Sequence, residues 1–340
     1  MNKSQTLMNF DEINVLALEE AFYSKKFHFS YSSLSKLLYS PKLFYSQYVL
    51  NQREEKLGAH LIEGKVIHCL LLEPEKFNEK FMVSPLSLPS ENSKAVIDKV
   101  FQHAKQNMLL DSELKSLDSV IIDILKEANL HQSLKTDEQR VDKIVTDQTI
   151  SYYSFLKEKE GKDVIDTETY TKCKESVEVL KQNPDVEISL GLGLNSAAVD
   201  IYREHPLTID KLIFEDFGLK GIVDGVIVNH EDKTITISDL KTSGKTIADF
   251  PESVEYYNYW LQAAIYKMLV VDAFYIDGYK IIFNFIVIDI YKQSYVFTVS
   301  DATMDLWTEK AKSTLVQANH HYSKRDYTLP YKFATGKVTL

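Results

Sequence analysis

Asp224, Asp239 and Lys241 are the residues through which this chain can do chemistry. They fall in two strand-like runs, Leu219–Val228 and Thr234–Lys241, joined by Asn229-His230-Glu231-Asp232-Lys233, which reads as a hairpin loop. The midpoint between 224 and 239 falls between Glu231 and Asp232. A turn centred there opposes the two aspartates across an antiparallel pair, with Cβ atoms ~5 Å apart. Period two puts Lys241 on the face of Asp239. Ile222, Val226 and Val228 share the face of Asp224, and Ile235 and Ile237 that of Asp239, so both carboxylates interrupt rows expected to be buried. Buried like charges repel strongly, and a divalent cation removes that penalty. Oxygen-only ligands suit magnesium or manganese better than zinc. On this reading Asp224→Ala relieves repulsion and stabilises the metal-free protein. The plainer alternative is a structural Asp239–Lys241 ion pair, with Asp224 ending its strand near solvent.

Two further groups have spacing that matters. Tyr259, Gln262 and Tyr266 fall at helical intervals of three and four, so one helix face can carry all three toward the aspartates. Interior packing around a hydrogen-bonded glutamine accounts for them equally well. His68 lies four residues after Gly64 in an apolar helical pattern, as a ligand or as a hydrogen-bonded core histidine.

The elements that must position these groups can be traced along the chain. Val15–Tyr23 fits a short amphipathic helix, and Ser30–Leu50 a helix capped by Ser30 and divided at Pro41. Gly64–Leu72 follows as a helix ended by Pro74, so residues 1–84 are read as N-terminal helices. Residues 85–195 are helical in pattern, polar and rich in lysine and glutamate, and read as a helical insertion or arm. Strand-like runs then follow at Ala197–Tyr202 and Lys211–Glu215, before the two that carry the aspartates. A helix is expected over Ser253–Val271, strands over Tyr279–Asp289 and Gln293–Val299, and a last helix over Ala302–Tyr322. Residues 196–340 and 28–84 together make an α/β layered core, a mixed sheet flanked by helices.

Composition narrows the class. The chain has 340 residues, 44% of them hydrophobic, enough for a sizeable core. Neither an apolar leader at the start nor a membrane-length apolar run is found, which places the protein in a cytoplasm. Cys69 and Cys173 are its only cysteines, too few for a thiolate metal site or a disulfide framework. The net charge of −10 argues against a surface that coats nucleic acid as a whole and leaves room for a local basic channel. Only Arg53, Arg140, Arg203 and Arg325 are arginines, so positive charge is mostly lysine, suited to backbone phosphate contact more than to reading bases.

Four motifs in order carry a resemblance. They are Gly64-Lys65-Val66-Ile67-His68 continuing to Phe77, Val223-Asp224-Gly225, Asp239-Leu240-Lys241-Thr242 and Gln262-Ala263-Ala264-Ile265-Tyr266. Together with Ser30–Leu34 and Ser40-Pro41, this set resembles the exonuclease VIII (RecE-type) nuclease domain, within the PD-(D/E)XK superfamily that also holds lambda exonuclease. The resemblance covers about residues 28–300 and matches nothing in the helical middle. It implies a restriction-endonuclease-like core in which His68, Asp224, Asp239 and the Leu240 backbone carbonyl hold Mg²⁺, for which Mn²⁺ substitutes. It implies that Lys241 orients or activates the attacking water and stabilises transition-state charge, while Gln262 and Tyr266, with Tyr259, position the substrate strand or support the catalytic residues. The implied activity is 5′ to 3′ exonuclease hydrolysis of linear duplex DNA in phage-type recombination. The implied partners are a single-strand annealing protein and further copies of this chain in an oligomer. A single-strand or structure-specific nuclease of the same superfamily is the nearest alternative. A catalytically inactive DNA- or partner-binding protein is the alternative of another class, although such a module would be free to lose one of the core positions, all of which are intact.

Overall fold

A computed structural model describes residues 10–52, 59–84, 88–212, 214 and 216–338. In chain order the first elements are α1 (Phe10–Tyr23), β1 (Phe27–Phe29), α2 (Tyr31–Tyr39), α3 (Pro41–Phe44), a π-helical turn (Tyr45–Val49) and α4 (Ala59–Leu72). Next come α5 (Phe77–Lys80), β2 (Phe81–Val83), α6 (Glu91–Gln106), α7 (Asp118–Glu127), α8 (Asp137–Ile144), α9 (Asp147–Glu158) and β3 (Asp163–Ile165). The chain continues through α10 (Thr167–Lys181), α11 (Pro184–Leu190), β4 (Val199–Ile209), β5 (Phe217–Asn229) and β6 (Thr234–Ser243). It ends with α12 (Phe250–Tyr256), α13 (Tyr259–Phe274), β7 (Lys280–Asp289), β8 (Ser294–Val299), α14 (Asp301–Lys324) and α15 (Tyr331–Ala334). Among the described residues no helix is long and apolar enough to cross a membrane.

The chain packs as two compact units, residues 1–58 with 176–340, and residues 59–175. The first is built on a mixed sheet. β4 runs antiparallel along one edge of β5. The other edge of β5 is shared: β1 pairs in parallel with Phe217–Leu219, and β6 pairs antiparallel with Gly225–Asn229. Between these two partners, residues 220–224 of β5 lack a strand partner on that edge, while 220–223 stay paired with β4, and the sheet opens there. β6 continues in parallel register with β7, which pairs antiparallel with β8. The parallel β6–β7 step requires a crossover, supplied by α12 and α13.

α13 is buried all round, from Trp260 through Tyr266 and again at Leu269 and Val270, because the sheet and the helices α2 and α14 both pack on it. The surrounding core is rich in aromatic rings, with Phe29, Phe44, Phe217, Phe250 and Phe285 almost fully buried. Each such side chain contributes roughly 1.5–3 kcal/mol on burial. α11 is tied to the sheet by polar contacts. Ser238 Oγ donates to the Ser189 carbonyl at 2.7 Å, and Asn284 Nδ2 donates to Ser189 Oγ at 3.2 Å.

The second unit is mainly helical. Val96, Ile97, Val100 and Phe101 of α6 pack with Ile121 and Leu125 of α7 and Tyr153 and Leu156 of α9. Ser90, Thr136 and Thr146 cap α6, α8 and α9. β2 and β3 pair in parallel within this largely helical unit.

Several sequence expectations shift. Ser30 caps α2 with a capping box and Pro41 opens α3, as expected. The helix expected over Ser253–Val271 is two helices, because Asn258 adopts a left-handed φ of 57° between them. The strand expected at Ala197–Tyr202 runs on to Ile209, since β4 is an edge strand and tolerates Pro206. Of the strand expected at Lys211–Glu215, Lys211, Leu212 and Phe214 lie outside any strand, while Ile213 and Glu215 fall outside the described residues.

Candidate active site

The β5–β6 ladder runs from Asn229↔Thr234 to Gly225↔Ser238, so its register places Asp224 opposite Asp239 at the first rung beyond the last pair. The strands part there, and the freed backbone is taken up by side chains. Asp224 Oδ2 accepts the Leu240 N–H at 2.7 Å. A strand residue directs its N–H and C=O to the same edge, so the Leu240 carbonyl faces the same opening.

Asp239 is fully buried and Asp224 is 7% exposed. Asp239 Oδ1 accepts from Gln262 Nε2 at 2.9 Å, and the same amide group donates to the Tyr266 hydroxyl at 3.0 Å. Lys241 Nζ lies 2.5 Å from Asp239 Oδ2 and 4.8 Å from the centre of the Tyr259 ring. This ion pair is the one the plainer reading expected. The first unit therefore brings Asp224, Asp239, Lys241, Tyr259, Gln262 and Tyr266 together at the mouth of one opening. His68 lies on α4 of the second unit, where it is half-buried.

Electrostatics fix the protonation of the neighbours. Burial lowers the Lys241 pKa, but attraction to Asp239 and then Asp224 outweighs it, and the net shift is upward, so the side chain is an ammonium. Burial, reinforced by Asp224 and Asp239, holds the Tyr266 phenol well above its ordinary range, so it remains a neutral hydroxyl. Burial raises the Tyr259 phenol as well, against the opposing pull of Lys241.

One carboxylate escaped the sequence reading. A carboxylate oxygen of Glu204 lies within 4.8 Å of one from Asp224. The β4–β5 ladder pairs Arg203 with Gly225 and His205 with Val223, so Glu204 stands at the rung of Asp224 that the ladder omits. Its φ of 45° is left-handed, a conformation rarely adopted by a side chain of this kind. The signal lay in the extension of β4 beyond Tyr202. Ile222, expected in the buried row of Asp224, is 53% exposed, although it stays paired with Pro206 of β4.

The opening is a cleft of about 620 Å³ lined by Tyr31, Lys220, Ile222, Lys241, Gln262 and Tyr266, among others. Gly221 forms its floor, where an added Cβ would lie 2.9 Å from Leu269 Cδ1 and 3.1 Å from Tyr266 Cε1. The donor set fits a hard divalent cation. Glu204 and Asp224 supply carboxylate oxygens within 4.8 Å of each other, Asp239 stands beside them with Oδ2 turned to Lys241, and buried Gln262 Oε1 has no hydrogen-bond partner among the described residues. Cys69 and Cys173 are both buried on the second unit, and burial, with Glu63 and Asp166, pushes the Cys173 thiol up to about 12.

Known proteins offer three comparisons. The chain has no match among curated proteins. One similar solved structure, a "Putative exonuclease" from Eubacterium rectale, shares 11% identity at a TM-score of 0.44, over 98% of this chain and 96% of that one. A family model described as the PD-(D/E)XK nuclease superfamily matches residues 28–320, most of the chain. With Asp224, Asp239 and Lys241 at the opening of a mixed, helix-flanked sheet, the chain belongs to the PD-(D/E)XK nuclease superfamily.

Proposed function

We propose that this protein is a magnesium-dependent DNA exonuclease that hydrolyses linear duplex DNA from 5′ to 3′. The observation that carries the reading is the buried Asp224–Asp239 pair with Lys241 beside it, at the edge of a cleft. Glu204, Asp224, Asp239, the Leu240 carbonyl and His68 are the groups assigned to hold Mg²⁺ or Mn²⁺. When bound, the cation supplies Lewis-acid stabilisation of charge at the scissile phosphate.

The chain's own groups do the rest. Lys241, held as an ammonium, orients a water molecule toward phosphorus and stabilises the negative charge that grows on the phosphoryl oxygens. Gln262 fixes the rotamer of Asp239, and Tyr266 in turn accepts from the Gln262 amide, so both act through the carboxylate. Tyr259 covers the lysine and limits its motion. In biological terms, the proposed product is a duplex with 3′ single strands for phage-type recombination. The proposed partners are a single-strand annealing protein and other copies of the chain, in the cytoplasm.

The test is linear duplex DNA labelled separately at the 5′ and 3′ ends, incubated with magnesium or EDTA beside Asp239→Ala. Early magnesium-dependent release of 5′ label, absent in the variant, is the expected result. Early release of 3′ label would overturn the polarity, and no cleavage of duplex, single-stranded or branched DNA would overturn the enzymatic reading.

A further inference from the structure

Tyr256 and Tyr257 close α12 where the left-handed Asn258 breaks the chain direction before α13. Their side chains are 78% and 47% exposed, an unusual placement for two consecutive aromatic rings. They are ordered by contact. The Tyr256 ring meets Tyr257 edge-on at 4.8 Å, and Tyr257 stacks on Tyr259 at 5.5 Å with an interplanar angle of 29°. Tyr259 in turn lies under Lys241 Nζ. From the cleft wall, the Tyr31 hydroxyl donates to the Tyr257 carbonyl and pins this backbone. A file of three rings thus runs from solvent to the ammonium beside Asp239.

We propose that Tyr256 and Tyr257 form a stacking platform for an unpaired nucleobase of the DNA strand whose phosphate enters the cleft. The inference rests on the nuclease reading and adds a positioning role and a substrate preference to it. Lys220 at the cleft offers positive charge to the strand's backbone, and the Tyr257 ring, stacked on the cleft residue Tyr259, offers a π-face to its bases. That pairing of a cleft lysine with an aromatic platform suits a single strand and tolerates any sequence. Bases inside a duplex are already stacked on one another, so the platform favours a strand that has separated at its end.

The test uses the full chain, with calcium in place of magnesium, and a duplex bearing a short single-stranded end that carries 2-aminopurine. Binding to the wild type is expected to quench the 2-aminopurine. Tyr257→Ala is expected to lift the quench and weaken binding about tenfold, and Tyr257→Phe to restore both. An abasic residue at the probe position should weaken wild-type binding by a similar factor and leave Tyr257→Ala unaffected. Unchanged quench and affinity in Tyr256→Ala and Tyr257→Ala, with DNA still bound, would overturn the platform alone. Failure of the wild type both to bind DNA and to cleave it with magnesium would overturn the nuclease reading and the platform with it.

Discussion

Replacing Asp224 separates two effects that the strand opening combines. The carboxylate repels Glu204 across a gap of at most 4.8 Å, and it also accepts the buried Leu240 N–H. At an effective dielectric of about 20, two charges at that distance repel by about 3 kcal/mol. Solvent beside the half-buried Glu204 screens this to about 1 kcal/mol. Asp224→Asn removes the charge and keeps an acceptor, so its metal-free stability should fall within about 1 kcal/mol of the wild type. Asp224→Ala removes the acceptor as well and leaves a buried N–H without a partner, at a cost of about 1–3 kcal/mol relative to Asn. The sequence alone, which registers only the repulsion, expects alanine to stabilise; the hydrogen bond to Leu240 reverses that sign. Urea unfolding in EDTA, followed by tryptophan fluorescence, reads this directly, because Trp260 and Trp307 both lie in the first unit. Both variants should also lose the magnesium-dependent rise in stability, about 2.7 kcal/mol at a hundredfold excess over Kd. An alanine variant as stable as the asparagine variant in EDTA would refute the reasoning.

Other perturbations test the supports of the site. Gln262→Met takes the amide donor from buried Asp239 and should cost about 1.5–3 kcal/mol by the same urea assay; an unchanged midpoint would contradict the assigned contact. Gly221→Ala should cost about 1–3 kcal/mol and slow DNA cleavage, because the new methyl presses on Leu269 and Tyr266; normal stability and rate would show that the floor yields freely. In the second unit, burial raises the Glu73 pKa, but bonds from Lys76 and Lys80 outweigh it and hold the carboxyl below its ordinary value. Its contribution is therefore complete above the unfolded carboxylate range and is lost as pH falls through the lower folded value. Glu73→Gln should be less stable than wild type at pH 7, with the gap closing in acid as followed by circular dichroism; a gap independent of pH would contradict this.

Much of the site was legible because its geometry is local. A polar five-residue connection between two strand-like runs set the pairing register, and the ladder from Asn229↔Thr234 to Gly225↔Ser238 has that register. Period two set Lys241 beside Asp239, and helical spacing set Gln262 over Tyr266. What was not legible depends on partners distant in sequence. β1 is three residues long and exists because β5 offers it an edge, and the gap between β1 and β6 on that edge opens the sheet beside Asp224. Glu204 was missed because the strand-like run was read only to Tyr202, and its continuation to Ile209 depends on pairing with β5. β2 and β3 are similarly short and pair across a long stretch of helical sequence, as Met82↔Val164. Asn258 carries a conformation that asparagine adopts more readily than most residues, but periodicity alone runs straight through it.

Lys241→Ala tests the central claim most directly, with Mn²⁺ affinity by calorimetry and single-turnover DNA cleavage measured on the same preparation. Mn²⁺ should bind much as in the wild type, because the lysine lies beside the carboxylates without being a ligand, while cleavage falls about 100- to 1,000-fold. Near-normal cleavage by this variant would contradict the assignment of Lys241 to the chemical step.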